Sequence, residues 1–219
     1  MHSKIKENTM SESTRVDAFS DGVFAVVITV LVLELRLPPF EPGRLFDALL
    51  HEWTTFVAFL VSFVYVGIVW MNHHALFMRV HYVDRGLLWI NLSILLTSAL
   101  LPFPTHVLAE AFRHGGRWDQ SVAVAFYAGM AGLMSAAWVA IFPYLRDHPK
   151  LVDPEVPPAY FHAQWTRPWT GVVMYVSAGL LGFAHPVIGL VLFIAMVVYH
   201  AETSEGRKGM VSKPHSTGP

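Results

Sequence analysis

The sequence contains no cysteine and few charged residues. Without cysteine, the chain has no disulfide bonds and no thiol chemistry. Charged residues make up 14% of its 219 residues and hydrophobic residues 54%, with a formal net charge of -1. That composition excludes an ordinary soluble globular domain. It indicates an integral membrane protein, and no nucleic acid is predicted as a partner.

Sequence motifs of well-known catalytic and ion-binding sites are also missing. The chain has no G-x-S-x-G nucleophile motif, no P-loop, no glycine fingerprint for dinucleotides and no H-E-x-x-H zinc motif. The sequence T-V-G-Y-G, whose backbone carbonyls replace the hydration shell of an ion, is absent as well. These absences argue against an enzyme and against an ion filter built from carbonyl groups. No cofactor and no bound metal are predicted.

Six hydrophobic stretches are long enough to cross a bilayer, since about 20 apolar residues suffice for a helix. Prolines are expected to end the first helix at Pro38 and to end or kink the third at Pro102. The predicted fold class is therefore all-α, with six transmembrane helices per subunit. The predicted spans are residues 16–37, 46–78, 86–111, 121–145, 167–184 and 186–201. Residues 202–219 are polar and rich in proline and glycine, so they are predicted to form a disordered cytoplasmic tail.

Basic residues are distributed unequally between the two sides of this predicted bundle. Six spans place both termini on the same side, and most of the 15 lysines and arginines fall there. The opposite side carries only Arg36, Arg44, Arg113 and Arg117. Cytoplasmic loops carry the excess of positive charge in membrane proteins. The sequence therefore predicts a multi-pass protein of the cell membrane with both termini in the cytoplasm.

The first span contains an acidic residue, Asp21, close to its start. An ionisable side chain within a membrane segment is a functional-site hypothesis by default, because burying it is unfavourable. At about 100° per helical residue, Asp21 lies about 140° away from Val26. Its side chain is therefore expected to point toward neighbouring helices.

A different face of the same helix is aliphatic and carries one hydroxyl group. A helical period aligns one stripe of residues, which are Phe19, Gly22 or Val23, Val26, Thr29 or Val30, and Leu33. Aliphatic faces are common on membrane helices, where they pack against other helices or contact lipid. The pattern by itself does not distinguish these two roles from a pore.

Two neighbouring histidines, His73 and His74, end the second predicted span. Adjacent side chains on a helix diverge by about 100° and cannot easily share one metal ion. A polar network is the favoured interpretation, because Arg15, Ser20 and Asp21 lie at the same predicted depth. Asn91 in the third span is a further amide that needs hydrogen-bond partners when buried.

The first half of the chain contains three motifs that can be taken together. They are Arg15-x-x-x-Phe19-Ser20-Asp21-Gly22, Trp70-x-x-His73-His74-x-x-Phe77, and Asn91 with Leu101-Pro102-Phe103-Pro104-Thr105. Together they resemble the prokaryotic branch of the transmembrane protein 175 potassium-channel family, in which the motifs have the same order and lie on the same helices. The second half of the chain resembles the family mainly in hydropathy.

The resemblance implies that residues 1–201 form a six-helix channel domain whose first helix lines a potassium pore without a carbonyl filter. Animal relatives carry two such repeats per chain, whereas a second Phe-Ser-Asp motif is absent here, so a homotetramer is expected. Val26, Val30 and Leu33 match the family's hydrophobic constriction, and Thr29 matches its selectivity layer. Val26 is smaller than the isoleucine or leucine usual at the first of these positions. Potassium is the expected permeant ion.

The resemblance further implies a structural polar network that fixes the rotation of the first helix. Its residues are Arg15, Phe19, Ser20, Asp21, His73, His74 and Asn91.

Three alternatives to a potassium channel remain at this point. The first is a proton or nonselective cation channel, the second a membrane-embedded enzyme with a metal on Asp21, His73 and His74, and the third a purely structural protein.

Overall fold

The structure, a computed structural model, describes residues 11–204, and helices make up most of this part of the chain. The first half contains α1 (Thr14–Val32), α2 (Leu45–His51), α3 (Trp53–Phe77), α4 (Arg85–Ala99) and α5 (Pro102–His114). The second half contains α6 (Arg117–Asp147), α7 (Ala159–Ala184) and α8 (Pro186–Thr203), with a 3-10 turn at Pro149–Leu151. Two short antiparallel strands, β1 (Ser11–Glu12) and β2 (Tyr82–Val83), pair beside the start of α1.

Within the described residues, four helical segments are long and apolar enough to cross a membrane. They are α3, the combined segment Arg85–His114, α6 and α8. In contrast, α1 carries Arg15, Asp17 and Asp21, and α7 has Arg167 and Pro168 in its first half. The predicted all-α membrane class is confirmed. The predicted number of six spans stays a prediction.

The first two predicted spans differ from the observed helices in their bounds. The regular part of α1 ends at Val32, and the amides of Leu33 and Glu34 bond three residues back, a tighter turn that precedes the two prolines. The predicted stretch 46–78 is divided at Glu52, between α2 and α3. The buried Glu52 carboxylate forms an ion pair with Arg113 at 2.5 Å and accepts a hydrogen bond from Thr55 Oγ1 at 3.1 Å. A local hydropathy pattern does not reveal these contacts of Glu52, so the division of the span could not be predicted from it.

Prolines have different effects in the later spans. Pro102 lacks an amide hydrogen and begins α5 after a two-residue break from α4, so the third predicted span is divided into two helices. Pro168 lies inside α7, which begins at Ala159, eight residues before the predicted start at 167. Helix α8 continues to Thr203, two residues into the predicted tail. Residues 205–219 of that tail lie outside the described residues.

Close helix packing creates the core on which α1 rests. Helix α1 packs against α3 and α4, and α6 packs along α7. Phe24 and Leu31 of α1 are buried, as are Leu87 and Ile94 of α4. One face of α1 is therefore fixed in the bundle, which determines the direction in which its other face points.

Candidate functional site

The outer face of α1 is left uncovered by the other helices of the chain. Ser20, Phe24, Val27 and Leu31 recur at helical spacing and are buried. The opposite side, called here the exposed face of α1, consists of Phe19, Gly22, Val26, Thr29 and Leu33. Val26 is 60% exposed and Leu33 is 65% exposed, while Val30 is half-buried at the edge of this face. The predicted stripe is thus a continuous, mainly apolar surface of the single chain.

A shallow groove of about 440 Å³ runs along the same surface. Its floor is formed by residues of α1 from Ala18 to Val30, and its far wall by Ala99 and Pro102 at the joint between α4 and α5. The lining is almost entirely aliphatic. Such a groove can accept an apolar helix and offers little to a polar ligand.

Thr29 is the one hydroxyl-bearing residue on the exposed face of α1. Its Oγ1 donates a hydrogen bond to the Val26 carbonyl oxygen at 2.8 Å. Because the hydroxyl hydrogen is used within the helix, the oxygen lone pairs remain available on the exposed side. Thr29 can therefore present an oxygen ligand to a cation in front of this face.

Behind α1, a buried polar network joins three helices. His73 Nε2 donates to Asn91 Oδ1 at 2.8 Å, and Asn91 Nδ2 donates to Ser20 Oγ at 3.0 Å. Ser20 Oγ in turn donates to the Val16 carbonyl at 2.8 Å. The side chains of His73, Asn91 and Ser20 are all buried, and His73 stacks on Phe77. These bonds fix the rotation of α1 relative to α3 and α4.

Asp21 belongs to a second, half-exposed group. Its Oδ1 accepts a hydrogen bond from Trp70 Nε1 at 2.8 Å. His74 Nδ1 lies 3.9 Å from Asp21 Oδ2 and 3.6 Å from Asp17 Oδ2. The three residues Asp17, Asp21 and His74 are called here the aspartate–histidine cluster. The structure thus divides five of the seven residues predicted for one network between two groups with different solvent exposure: Ser20, His73 and Asn91 in the buried group, and Asp21 and His74 in the half-exposed one.

Two of the seven residues lie apart from both groups. Arg15 is exposed, and no ion pair joins it to another residue among the side chains described, those of residues 13–204. Phe19 is 57% exposed and lies on the exposed face of α1. Asp17 and Trp70 are not among the site residues predicted from the sequence. A helical-spacing signal was available, since Asp17 precedes Asp21 by one turn and Trp70 precedes His74 by one turn.

Similarity to known proteins extends over most of the chain. Residues 15–102 match the family model described as endosomal/lysosomal potassium channel TMEM175. A potassium channel of Streptomyces collinus is 39% identical over 190 residues, which is 83% of this chain and 91% of that protein. A potassium channel of Chamaesiphon minutus is 41% identical over 123 residues, 55% of this chain and 59% of the relative.

A solved structure has the same arrangement of helices. It is described as a lysosomal potassium-selective channel TMEM175 homolog from Chamaesiphon minutus, and it superposes with a TM-score of 0.76 at 29% identity. The match covers 88% of this chain and 98% of the solved one. The exposed face of α1 and the polar groups behind it all lie within residues matched by the family model.

Proposed function

This chain belongs to the TMEM175 family, and we propose from that membership that it is a potassium channel in which four copies surround one pore. The family consists of ion channels, so the prediction that the chain is not an enzyme is confirmed. In the proposed assembly, α1 from each chain lines the pore. Each subunit crosses the membrane six times: α1 and α7 are two spans in addition to the four that are more apolar. Both termini are cytoplasmic.

The exposed face of α1 is the single observation that carries the proposed pore. An apolar surface of this length, left uncovered by its own chain, is suited to contact identical surfaces around an axis. The aliphatic groove beside Ala99 and Pro102 supports the same arrangement, because an α1 helix of a second copy fits its chemistry. A face directed at lipid would gain nothing from the Thr29 hydroxyl.

Hydrophobic rings then control conduction. Val26, Val30 and Leu33 present four aliphatic side chains per layer, and a narrow ring of this kind disfavours water because no polar group replaces lost hydrogen bonds. Thr29 lies between the first and last of these layers and supplies four oxygen ligands. In this proposal the rings form the gate, and the threonine layer favours potassium over sodium.

Potassium flux into liposomes containing purified protein tests the proposal. Leu33→Asn keeps a similar side-chain size but adds hydrogen-bonding groups, so it should wet the constriction and raise the flux above that of wild type. Val26→Thr should act in the same direction. Matched controls are Leu180→Asn and Val176→Thr, which change exposed residues of α7 in the same way.

Flux is normalised to correctly assembled protein, so that lost folding is not counted as lost conduction. If both α1 variants conduct no more than wild type, the exposed face of α1 is not the gate. If the α7 controls raise the flux equally, the effect is a general loosening of the bundle. Either outcome contradicts the proposed pore.

A further inference from the structure

The aspartate–histidine cluster gathers three metal-ligating side chains from two helices. Asp17 and Asp21 lie one turn apart on the same side of α1, and His74 lies in the last turn of α3. One ligand atom from each residue lies within 4.8 Å of the other two. All three side chains are half-buried, so the cluster is reachable from solvent and is also held in place.

We infer that Asp17, Asp21 and His74 form a binding site for a divalent transition metal of the Zn²⁺ type. Zinc bonds of about 2.0–2.2 Å in a tetrahedron place neighbouring ligand atoms about 3.4 Å apart. The observed separations of 3.6 Å and 3.9 Å from His74 Nδ1 to the two carboxylates are close to that value. Only one of the adjacent histidines takes part, since His73 is bonded to Asn91. Water supplies the fourth ligand.

Unsatisfied polar atoms in the cluster point to the same conclusion. Asp17 Oδ1 and His74 Nδ1 are buried atoms without a hydrogen-bond partner among the described residues. Two carboxylates one turn apart on a helix repel each other, and a bound dication removes that repulsion. A mixed set of imidazole and carboxylate ligands suits Zn²⁺ better than Mg²⁺ or Ca²⁺, which prefer oxygen ligands alone.

Trp70 is not a metal ligand in this site, but it holds one of the ligands in place. Its indole nitrogen donates to Asp21 Oδ1 and leaves Oδ2 directed toward His74. Hydrogen bonds of this kind orient the ligands of metal sites and strengthen binding. A metal bound here connects the start of α1 to the end of α3, next to the buried polar network.

Zinc binding to the full chain, purified in detergent and freed of metal, tests the site by titration calorimetry with ZnCl₂. Wild type should bind one ion per chain. His74→Gln and Asp17→Asn should each weaken binding by more than about tenfold, and Trp70→Phe by about 10- to 100-fold. His81→Gln is the matched control, because His81 faces the single carboxylate of Asp153 at 3.3 Å, and it should bind zinc as wild type does.

Two measurements guard against misfolded variants. Each variant must elute at the wild-type position in size-exclusion chromatography. In addition, Co²⁺ added to the wild-type protein should give the visible absorption of a tetrahedral site, and this measurement does not depend on the folding of any variant. Absence of saturable zinc binding, or equal binding in His74→Gln and His81→Gln, overturns the site. Because no ion flux is measured, a failed pore proposal leaves this test unaffected.

Discussion

A single hydroxyl group distinguishes Thr29 from the aliphatic residues around it. Its oxygen lies on the exposed face of α1, and its hydrogen is bonded to the Val26 carbonyl. At the scale of one residue, selectivity in the proposed pore therefore depends on four Thr29 hydroxyl oxygens, one from each copy of the chain. Their number is small and a permeating ion keeps much of its water, so the discrimination between potassium and sodium should be modest.

Thr29→Val should reduce the discrimination between potassium and sodium while leaving folding unchanged. Valine has nearly the same shape but cannot replace any of the hydration of a cation. Reversal potentials under bi-ionic conditions measure the effect. Thr29→Ser retains the hydroxyl and should keep the selectivity of wild type. Unchanged reversal potentials in the valine variant would remove Thr29 from this role.

Asn91 is the central residue of the buried polar network, because its side chain bonds both to His73 and to Ser20. Asn91→Ala should lower the thermal unfolding temperature, because buried groups of His73 and Ser20 lose a partner at about 1–3 kcal/mol each. Intrinsic fluorescence during heating measures the change. Ser93→Ala, on the same helix, removes an exposed hydroxyl bonded only to its own backbone at 2.9 Å and should have little effect. Equal stability of both variants would show that the network contributes nothing.

At the scale of helices, small residues allow α6, α7 and α8 to approach closely. Gly182 of α7 and Gly189 of α8 both face Val124 of α6, where an added Cβ atom would overlap that valine. At Gly189 the added carbon would also lie 3.1 Å from the Ala178 carbonyl oxygen. Close packing through small residues is a principal source of stability between membrane helices.

Gly189→Ala should therefore destabilise the bundle by about 1–3 kcal/mol, because the extra methyl group separates α8 from its neighbours. Gly129→Ala is the matched control, since its added carbon meets no atom within 4 Å. Alanine favours helix over glycine at both positions, so the control should be neutral or slightly stabilising. The unfolding temperatures of both variants in detergent measure the difference. A Gly189→Ala variant as stable as the control would contradict the close approach of these helices.

At the scale of the whole molecule, the proposed tetramer brings four copies of Leu33 together. Because the chain contains no cysteine, a cysteine introduced by mutation is the only thiol that a cross-linking reagent can modify. Leu33→Cys treated with a short bismaleimide should give covalent dimers. Leu180→Cys, 68% exposed on α7, should give few. Native mass spectrometry of the untreated protein should give four times the chain mass of 24.5 kDa. Equal yields from both cysteines, or another multiple of that mass, would contradict the assembly.

Part of this organisation could be predicted from local patterns. Hydropathy indicated an all-α membrane protein, and a helical period placed Val26, Thr29 and Leu33 on one side of α1. The division at Glu52 could not be predicted, because it depends on Arg113, which is distant in sequence and lies on α5. The aspartate–histidine cluster was missed for a similar reason. The sequence argued against a metal on adjacent histidines, whereas the structure brings one of them beside two aspartates of another helix.

The sequence by itself determined the membrane class, the motifs of the TMEM175 family and the face of α1 that is apolar, because hydropathy and helical periodicity are properties of neighbouring residues. Only the tertiary structure decided which polar side chains meet. Ser20 and Asn91 are 71 residues apart, and Asp21 and Trp70 are 49 apart. Their contacts depend on the depth and rotation at which α1, α3 and α4 pack. That packing is set by the shapes of many side chains at once, and no short stretch of sequence contains it.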